Sequence, residues 1–178
     1  MQVNVGEMRW PDAPTLRDPT SGKLRLNDTE SAAFRAVAAQ QLVSGGVIGW
    51  FQATSDRLNW FGLEDDDVAF LRGLLYAKAT SAKFLTHGQL WRAPRWDAPP
   101  PTMKLHDYSY EELDPTQYCD TPYVLAELWR ADDASFAVVA VNHASTPETL
   151  NVTVRAGDGS PTRVTEAMAP RSVVVRVL

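Results

Sequence analysis

The chain has 178 residues, of which 44% are hydrophobic, and a formal net charge of −5. This length and composition fit a globular protein with one sizeable domain or two small ones, and no segment approaches the ~18 consecutive apolar residues of a membrane span. The acidic balance, without a basic cluster, argues against a nucleic acid partner, and the single cysteine, Cys119, excludes an internal disulfide and a multi-cysteine metal site.

The first half of the sequence predicts two helices. Asn27 and Glu30 have the spacing of a capping box, and apolar residues at i, i+3 and i+4 follow, which predicts a helix over residues 28–43. The acidic run Glu64–Asp67 suits the positive amino end of a helix, and the apolar spacing after it predicts a second helix over residues 65–82.

Two strands are predicted before and between these helices. Met1–Val5 alternates apolar and polar side chains, which predicts a short strand, and a proline-punctuated loop follows it. Gly45–Phe51 is an apolar run bounded by glycines, which indicates a strand buried on both faces of a parallel sheet. The order strand, helix, strand, helix predicts an α/β unit, whose ligand sites lie at the carboxyl ends of its strands.

After Lys83 the period changes from helical to alternating. Residues 84–91 and 102–105 are predicted strands, and the proline-rich residues 92–101 connect them. Five further segments, rich in Val, Leu and Thr and separated by turn residues, predict an antiparallel β-sandwich: 121–130, 135–143, 148–155, 162–168 and 172–178. We therefore predict two domains, at residues 1–83 and 84–178.

This order of elements resembles the end of a (β/α)8-barrel glycoside hydrolase with its carboxyl-terminal sandwich. The segments that carry the resemblance are Gly45–Phe51 as the last barrel strand, Phe70–Phe84 as the last barrel helix, His87–Trp91 as the start of the sandwich, and Phe136–Asn142 and Ala169–Val175 as sandwich strands. The predicted fold class is thus α/β followed by all-β: a partial (β/α) barrel made of the final βα units, with a C-terminal antiparallel β-sandwich.

A complete barrel needs about 250 residues, so residues 1–83 supply only about two and a half of its eight units. The chain is then a truncated piece, one subunit of a split protein, or a different fold. Its expected partners are a carbohydrate and either the missing barrel half or a second copy of the chain. The amino terminus lacks the features of a secretory signal, and the compartment stays open.

The resemblance implies hydrolysis by a pair of carboxyl groups. Glu7 follows the first predicted strand and, with Arg9 and Trp10, would place a carboxylate, a cation and an aromatic ring at one strand end. Asp56, in the loop after the second strand, is the other catalytic candidate. The simpler interpretations are a solvated loop acid for Glu7 and, for Asp56, a surface ion pair with the adjacent Arg57.

The predicted substrate contacts come from the same loops. Trp50 and Trp60 could stack on a sugar ring and Gln52 could bind its hydroxyl groups, together with Arg9 and Trp10. Aromatic residues near a strand end are more often part of the core. Trp91 and Trp96 suit docking of the two domains better than glycan binding, because the prolines around them stiffen the connection.

No metal or cofactor is predicted. The acidic run at residues 64–67 is explained by the helix that starts there, and the three histidines lack the spacing of metal ligands. The leading functional prediction is a fragment or subunit of a carbohydrate-active enzyme that hydrolyses glycosidic bonds. The alternatives are a non-catalytic sandwich that binds glycan or supports a neighbouring domain, and one half of an obligate hetero-oligomer.

Overall fold

The computed structural model describes residues 28–46, 65–106 and 118–178 of the chain. In these ranges three helices precede nine strands, and every strand pair is antiparallel. The helices are α1 (Asp28–Val43), α2 (Asp65–Thr80) and α3 (Ala82–Leu85). The strands are β1 (Gln89–Arg92), β2 (Arg95–Trp96), β3 (Thr102–His106), β4 (Tyr118–Pro122), β5 (Val124–Arg130), β6 (Phe136–Asn142), β7 (Glu148–Arg155), β8 (Pro161–Met168) and β9 (Ser172–Val177).

The two long helices lie where the sequence predicts them. The predicted helix over residues 28–43 is confirmed, and α2 ends at Thr80, slightly before its predicted end. The chain leaves α1 through Gly45, whose φ of 78° is a left-handed conformation that favours glycine. A Cβ on Gly45 would also lie 2.5 Å from the Trp129 ring, so this helix end and strand β5 approach too closely for any side chain there.

The strands form two main sheets and a separate hairpin-like pair. The four-stranded sheet has the order β1-β5-β6-β9, the three-stranded sheet has the order β2-β7-β8, and β3 pairs with β4. The chain passes from the first sheet to the second between β1 and β2. Apolar side chains of both sheets share one core, which includes Leu128, Val138 and Leu150, so the two sheets pack face to face.

Strand β6 is buried on both faces, which explains why Phe136–Asn142 contains almost no polar alternation. All seven of its residues are buried. Val138 and Ala140 face the three-stranded sheet, while Val139 and Val141 join a second core with the helices. The molecule therefore has three layers in the order helices, four-stranded sheet and three-stranded sheet.

The predicted fold class is wrong, because the described helices do not belong to a partial (β/α) barrel. Helices α1 and α2 cover one face of an antiparallel sheet, and the described ranges contain no parallel strand pair. An amphipathic helix needs an apolar surface, and Leu125, Val139 and Val175 of the four-stranded sheet supply it. The two predicted parallel strands lie outside the described residues, apart from Gly45 and Gly46.

The strand predicted over residues 84–91 is wrong in its first half. Phe84 and Leu85 belong to α3, where their N–H groups donate to the carbonyl of Ser81 at 2.9 and 3.0 Å. Both side chains are 2% exposed, in the core beneath α1 and α2. Short apolar runs fit a helix or a strand equally well, and here the tertiary contacts decide.

The later strands follow the sequence closely. The segments predicted at 135–143, 148–155, 162–168 and 172–178 correspond to β6–β9, and residues 121–130 are divided between β4 and β5 at Tyr123. Side chains on both sides of residue 83 share one core, and the domain boundary there stays a prediction. No helix in the described ranges is long and apolar enough to cross a membrane.

Candidate functional site

All the residues predicted to bind or cleave a substrate lie outside the described residues. These are the catalytic candidates Glu7 and Asp56 and the substrate-binding candidates Arg9, Trp10, Trp50, Gln52 and Trp60. Their roles stay predictions, and a functional site must be sought elsewhere in the described part of the chain.

An exposed tryptophan lies on the edge strand β1. Trp91 is 45% exposed, whereas Trp129 is 5% exposed, and Trp96 packs against the core between the two sheets. The docking of two domains by Trp91 and Trp96 stays a prediction. Trp129 joins α1 to β5 directly, because its indole Nε1 donates to the carbonyl of Val43, at the end of α1, at 3.0 Å.

A β-bulge determines where Trp91 points. Strand β1 pairs Leu90 with Trp129 and Arg92 with Leu128, so Trp91 is an extra residue in the ladder. In a regular strand, Trp91 and Arg92 would lie on opposite faces of the sheet. The bulge places both on the face of Leu128, the side away from the helices.

Two neighbours hold the Trp91 ring. The Phe136 ring lies edge to face with it, with centroids 5.7 Å apart and planes at 77°. The Arg130 guanidinium carbon lies 5.3 Å from the centroid of the indole, a distance at which a cation is attracted by the ring. We call Trp91, Arg92, Arg130 and Phe136 the Trp91 surface.

The Trp91 surface carries positive charge that the described residues do not neutralise. Arg95, Arg163 and Arg171 each lie within 4 Å of a carboxylate oxygen, but the described ranges contain no such ion pair for Arg92 or Arg130. The surface therefore combines an exposed aromatic ring with two arginines that have no ion-pair partner among the described residues.

A second polar cluster joins the helical layer to the sheets. Arg35 of α1 and Asp67 of α2 form an ion pair at 2.7 Å, with side chains 7% and 2% exposed. Arg35 also donates from Nε to the carbonyl of His143, just after β6, at 3.1 Å. Three elements that are distant in sequence thus meet at one buried guanidinium.

His143 is fully buried beside this ion pair. Its Nε2 lies 2.7 Å from the carbonyl of Pro122, which can only accept, so Nε2 carries the proton. Its Nδ1 is buried without a hydrogen-bond partner among the described residues. Burial lowers the pKa of His143, the Arg35 charge lowers it further, and the bond to Pro122 opposes both effects.

The free energy of unfolding is expected to fall as the pH is lowered through 6.5, the ordinary pKa of histidine. Below that pH the unfolded chain binds a proton that the folded protein does not, so acid favours unfolding by at most about 1.4 kcal/mol per pH unit for one group. Urea unfolding between pH 7.5 and 5.5 measures this slope. The pH slope of the free energy of unfolding should be smaller in His143→Gln and unchanged in His87→Gln. If the slope in His143→Gln equalled that of the wild type, His143 would not be its cause.

Two other partly buried groups, Glu127 and Lys78, have shifted pKa values. Burial raises the pKa of Glu127 on β5 and lowers the pKa of Lys78 on α2, whose Nζ donates to the carbonyl of Gly46 at 2.7 Å. Neither has an ion-pair partner in the described ranges. Within those ranges no group of three or more His, Cys, Asp or Glu residues could hold a metal ion.

Sequence reasoning missed the buried ion pair, although the pattern contained a signal. Arg35 precedes Ala38, Ala39 and Leu42 at the spacing of the apolar stripe of α1. Asp67 has the same position relative to Phe70, Leu71 and Leu74 on α2. Opposite charges at equivalent places in two apolar stripes indicate a buried pair.

In comparisons with known proteins, no protein-family model, no curated protein and no solved structure matches the chain.

Proposed function

We propose that the chain is a non-catalytic carbohydrate-binding module in which the Trp91 surface contacts the sugar. The observation that carries this proposal is the Trp91 ring, which is 45% exposed on the edge strand β1 and is contacted by Phe136 and Arg130. Carbohydrate as the partner is taken from the resemblance of the sequence to glycoside hydrolases, of which only the sandwich part agrees with the described strands.

The physical basis is the match between an indole and a pyranose. The C–H groups on one face of a pyranose ring form an apolar surface that stacks on an aromatic ring, while its hydroxyl groups stay in contact with water or with hydrogen-bond donors. A ring fixed before binding loses little conformational entropy when a ligand arrives. Two arginines beside it offer donors to hydroxyl or acidic groups.

Replacing Trp91 by alanine is expected to weaken polysaccharide binding at least about tenfold, as for an aromatic anchor at an interface. Affinity electrophoresis in gels that contain xylan, β-glucan, galactomannan or polygalacturonate measures the binding. Tyr76→Ala is the matched control, because Tyr76 is 72% exposed but lies on α2, on the other side of the four-stranded sheet.

Equal unfolding midpoints of the two variants and the wild type would show that both are folded. Trp91→Phe should retain part of the affinity, since it keeps an aromatic ring at this position. The proposal is wrong if the wild type migrates equally with and without every polysaccharide, or if Trp91→Ala binds as well as Tyr76→Ala.

A second candidate function is structural support of a neighbouring part of the protein. It is favoured by the buried Arg35–Asp67 pair, which connects both long helices to the turn after β6. The segment between α1 and α2 holds the predicted contacts Trp50, Gln52 and Trp60. Glycosidic hydrolysis by Glu7 and Asp56 stays a prediction from the sequence.

A further inference from the structure

We propose that the Trp91 surface takes a pyranose that carries an anionic group, either a carboxylate or a sulfate ester. This inference rests on the proposed carbohydrate-binding function and names the class of sugar. It is carried by the placement of two guanidinium groups beside one exposed indole.

The bulge in β1 creates this placement. It brings Arg92 to the same face as Trp91, where strict alternation would separate them. Arg130 lies on that face too, because it pairs with Phe136, which faces the core between the sheets. The Arg130 guanidinium carbon lies 5.3 Å from the centroid of the indole, and Arg92 is the next residue along β1.

In the described ranges no acidic side chain forms an ion pair with Arg92 or Arg130. Asp132 and Asp133 lie in the turn between β5 and β6, where Asp133 pairs with Lys83 at 3.3 Å and accepts hydrogen bonds from Ser135. The Arg130 guanidinium instead lies over the Trp91 ring. An arginine that stacks on an aromatic ring keeps its N–H donors in the plane of the guanidinium, where a planar carboxylate can accept two of them.

Arginine favours this ligand over a neutral sugar for a physical reason. Hydrogen bonds between a guanidinium and an anionic oxygen are stronger than those to a hydroxyl group, and they weaken as salt is added. A neutral pyranose can accept hydrogen bonds from the arginines only through its uncharged hydroxyl oxygens, which accept more weakly than an anionic oxygen. The chemistry of the Trp91 surface thus selects for negative charge on the sugar.

The test uses two matched pairs of sugars. An oligogalacturonate is compared with its methyl ester, which keeps the sugar but removes the charge, and a sulfated galactan is compared with an unsulfated galactan. Isothermal titration at low salt should give at least about tenfold tighter binding of a charged sugar than of its neutral counterpart. Arg130→Gln should reduce that preference, and 0.5 M NaCl should do the same. Arg176→Gln, which removes an exposed arginine from the opposite edge strand β9, should leave it unchanged.

The outcomes separate this inference from the function on which it rests. A preference for the uronate alone or for the sulfated sugar alone supports the inference and identifies the anionic group. Equal affinity for charged and neutral sugars, with loss of both in Trp91→Ala, overturns the inference and leaves the carbohydrate-binding function standing. Absence of binding to all four sugars and to the neutral polysaccharides overturns both.

Discussion

Replacing Asp67 by alanine is expected to lower the free energy of unfolding by about 3–5 kcal/mol, the usual result of removing one partner of a buried ion pair. Asp67 is 2% exposed and accepts from Arg35 at 2.7 Å. Without it the guanidinium keeps its charge inside the protein, where water cannot replace the lost carboxylate. Urea unfolding followed by circular dichroism measures the change as a lower midpoint.

The neighbouring Asp66 is the control for this substitution. It pairs with Arg171 at 2.6 Å, but its side chain is 78% exposed. Surface ion pairs contribute about 0–1 kcal/mol, so Asp66→Ala should change the midpoint little. The double variant Arg35→Met with Asp67→Leu should lose less stability than Asp67→Ala, because it removes both charges. Equal losses in Asp66→Ala and Asp67→Ala would contradict the buried pair.

Replacing Gly88 by alanine is expected to destabilise the fold by about 1–3 kcal/mol or more, the cost of forcing extra atoms into a close contact. A Cβ at this position would lie 2.5 Å from the carbonyl oxygen of Phe84 and 2.8 Å from that of Arg130. Both contacts are backbone atoms, so neither can rotate away. The change would push α3 and β1 away from β5, and thermal unfolding should show a lower midpoint.

Gly73→Ala is the matched control for Gly88→Ala, and it is expected to stabilise the protein. It lies within α2, and a Cβ there would have no atom within 4 Å. Gly73→Ala should stabilise the protein by about 0.5–1 kcal/mol, because alanine loses less backbone entropy in a helix. A higher thermal unfolding midpoint for Gly88→Ala would contradict the close contact of Gly88 with the carbonyl groups of Phe84 and Arg130.

These predictions concern two different parts of the molecule. The Arg35–Asp67 pair joins both long helices to His143, just after β6 of the four-stranded sheet. Gly88 lies at the start of the strand that carries Trp91, so its close packing positions the proposed sugar contact. Measuring sugar affinity in Asp67→Ala at a urea concentration where it is still folded would show whether the two parts act independently.

Local patterns in the sequence were sufficient for most of the individual elements. The capping box and apolar spacing located α1, and runs rich in Val, Leu and Thr between turn residues located β6 to β9, because these signals depend on neighbours within a few residues. The same reasoning left Trp91 and Trp96 between glycan binding and domain docking, and it favoured docking.

Apart from Phe84 and Leu85, the sequence by itself determined which of the described stretches are helical or extended, since periodicity depends only on the backbone geometry of each element. Only the tertiary structure decided what those stretches contact. Helices α1 and α2 cover an antiparallel sheet, Arg35 meets Asp67 across the chain, and a bulge in the β1–β5 ladder brings Trp91 and Arg92 to one face. Such contacts depend on register and packing between elements distant in sequence, which a local pattern does not encode.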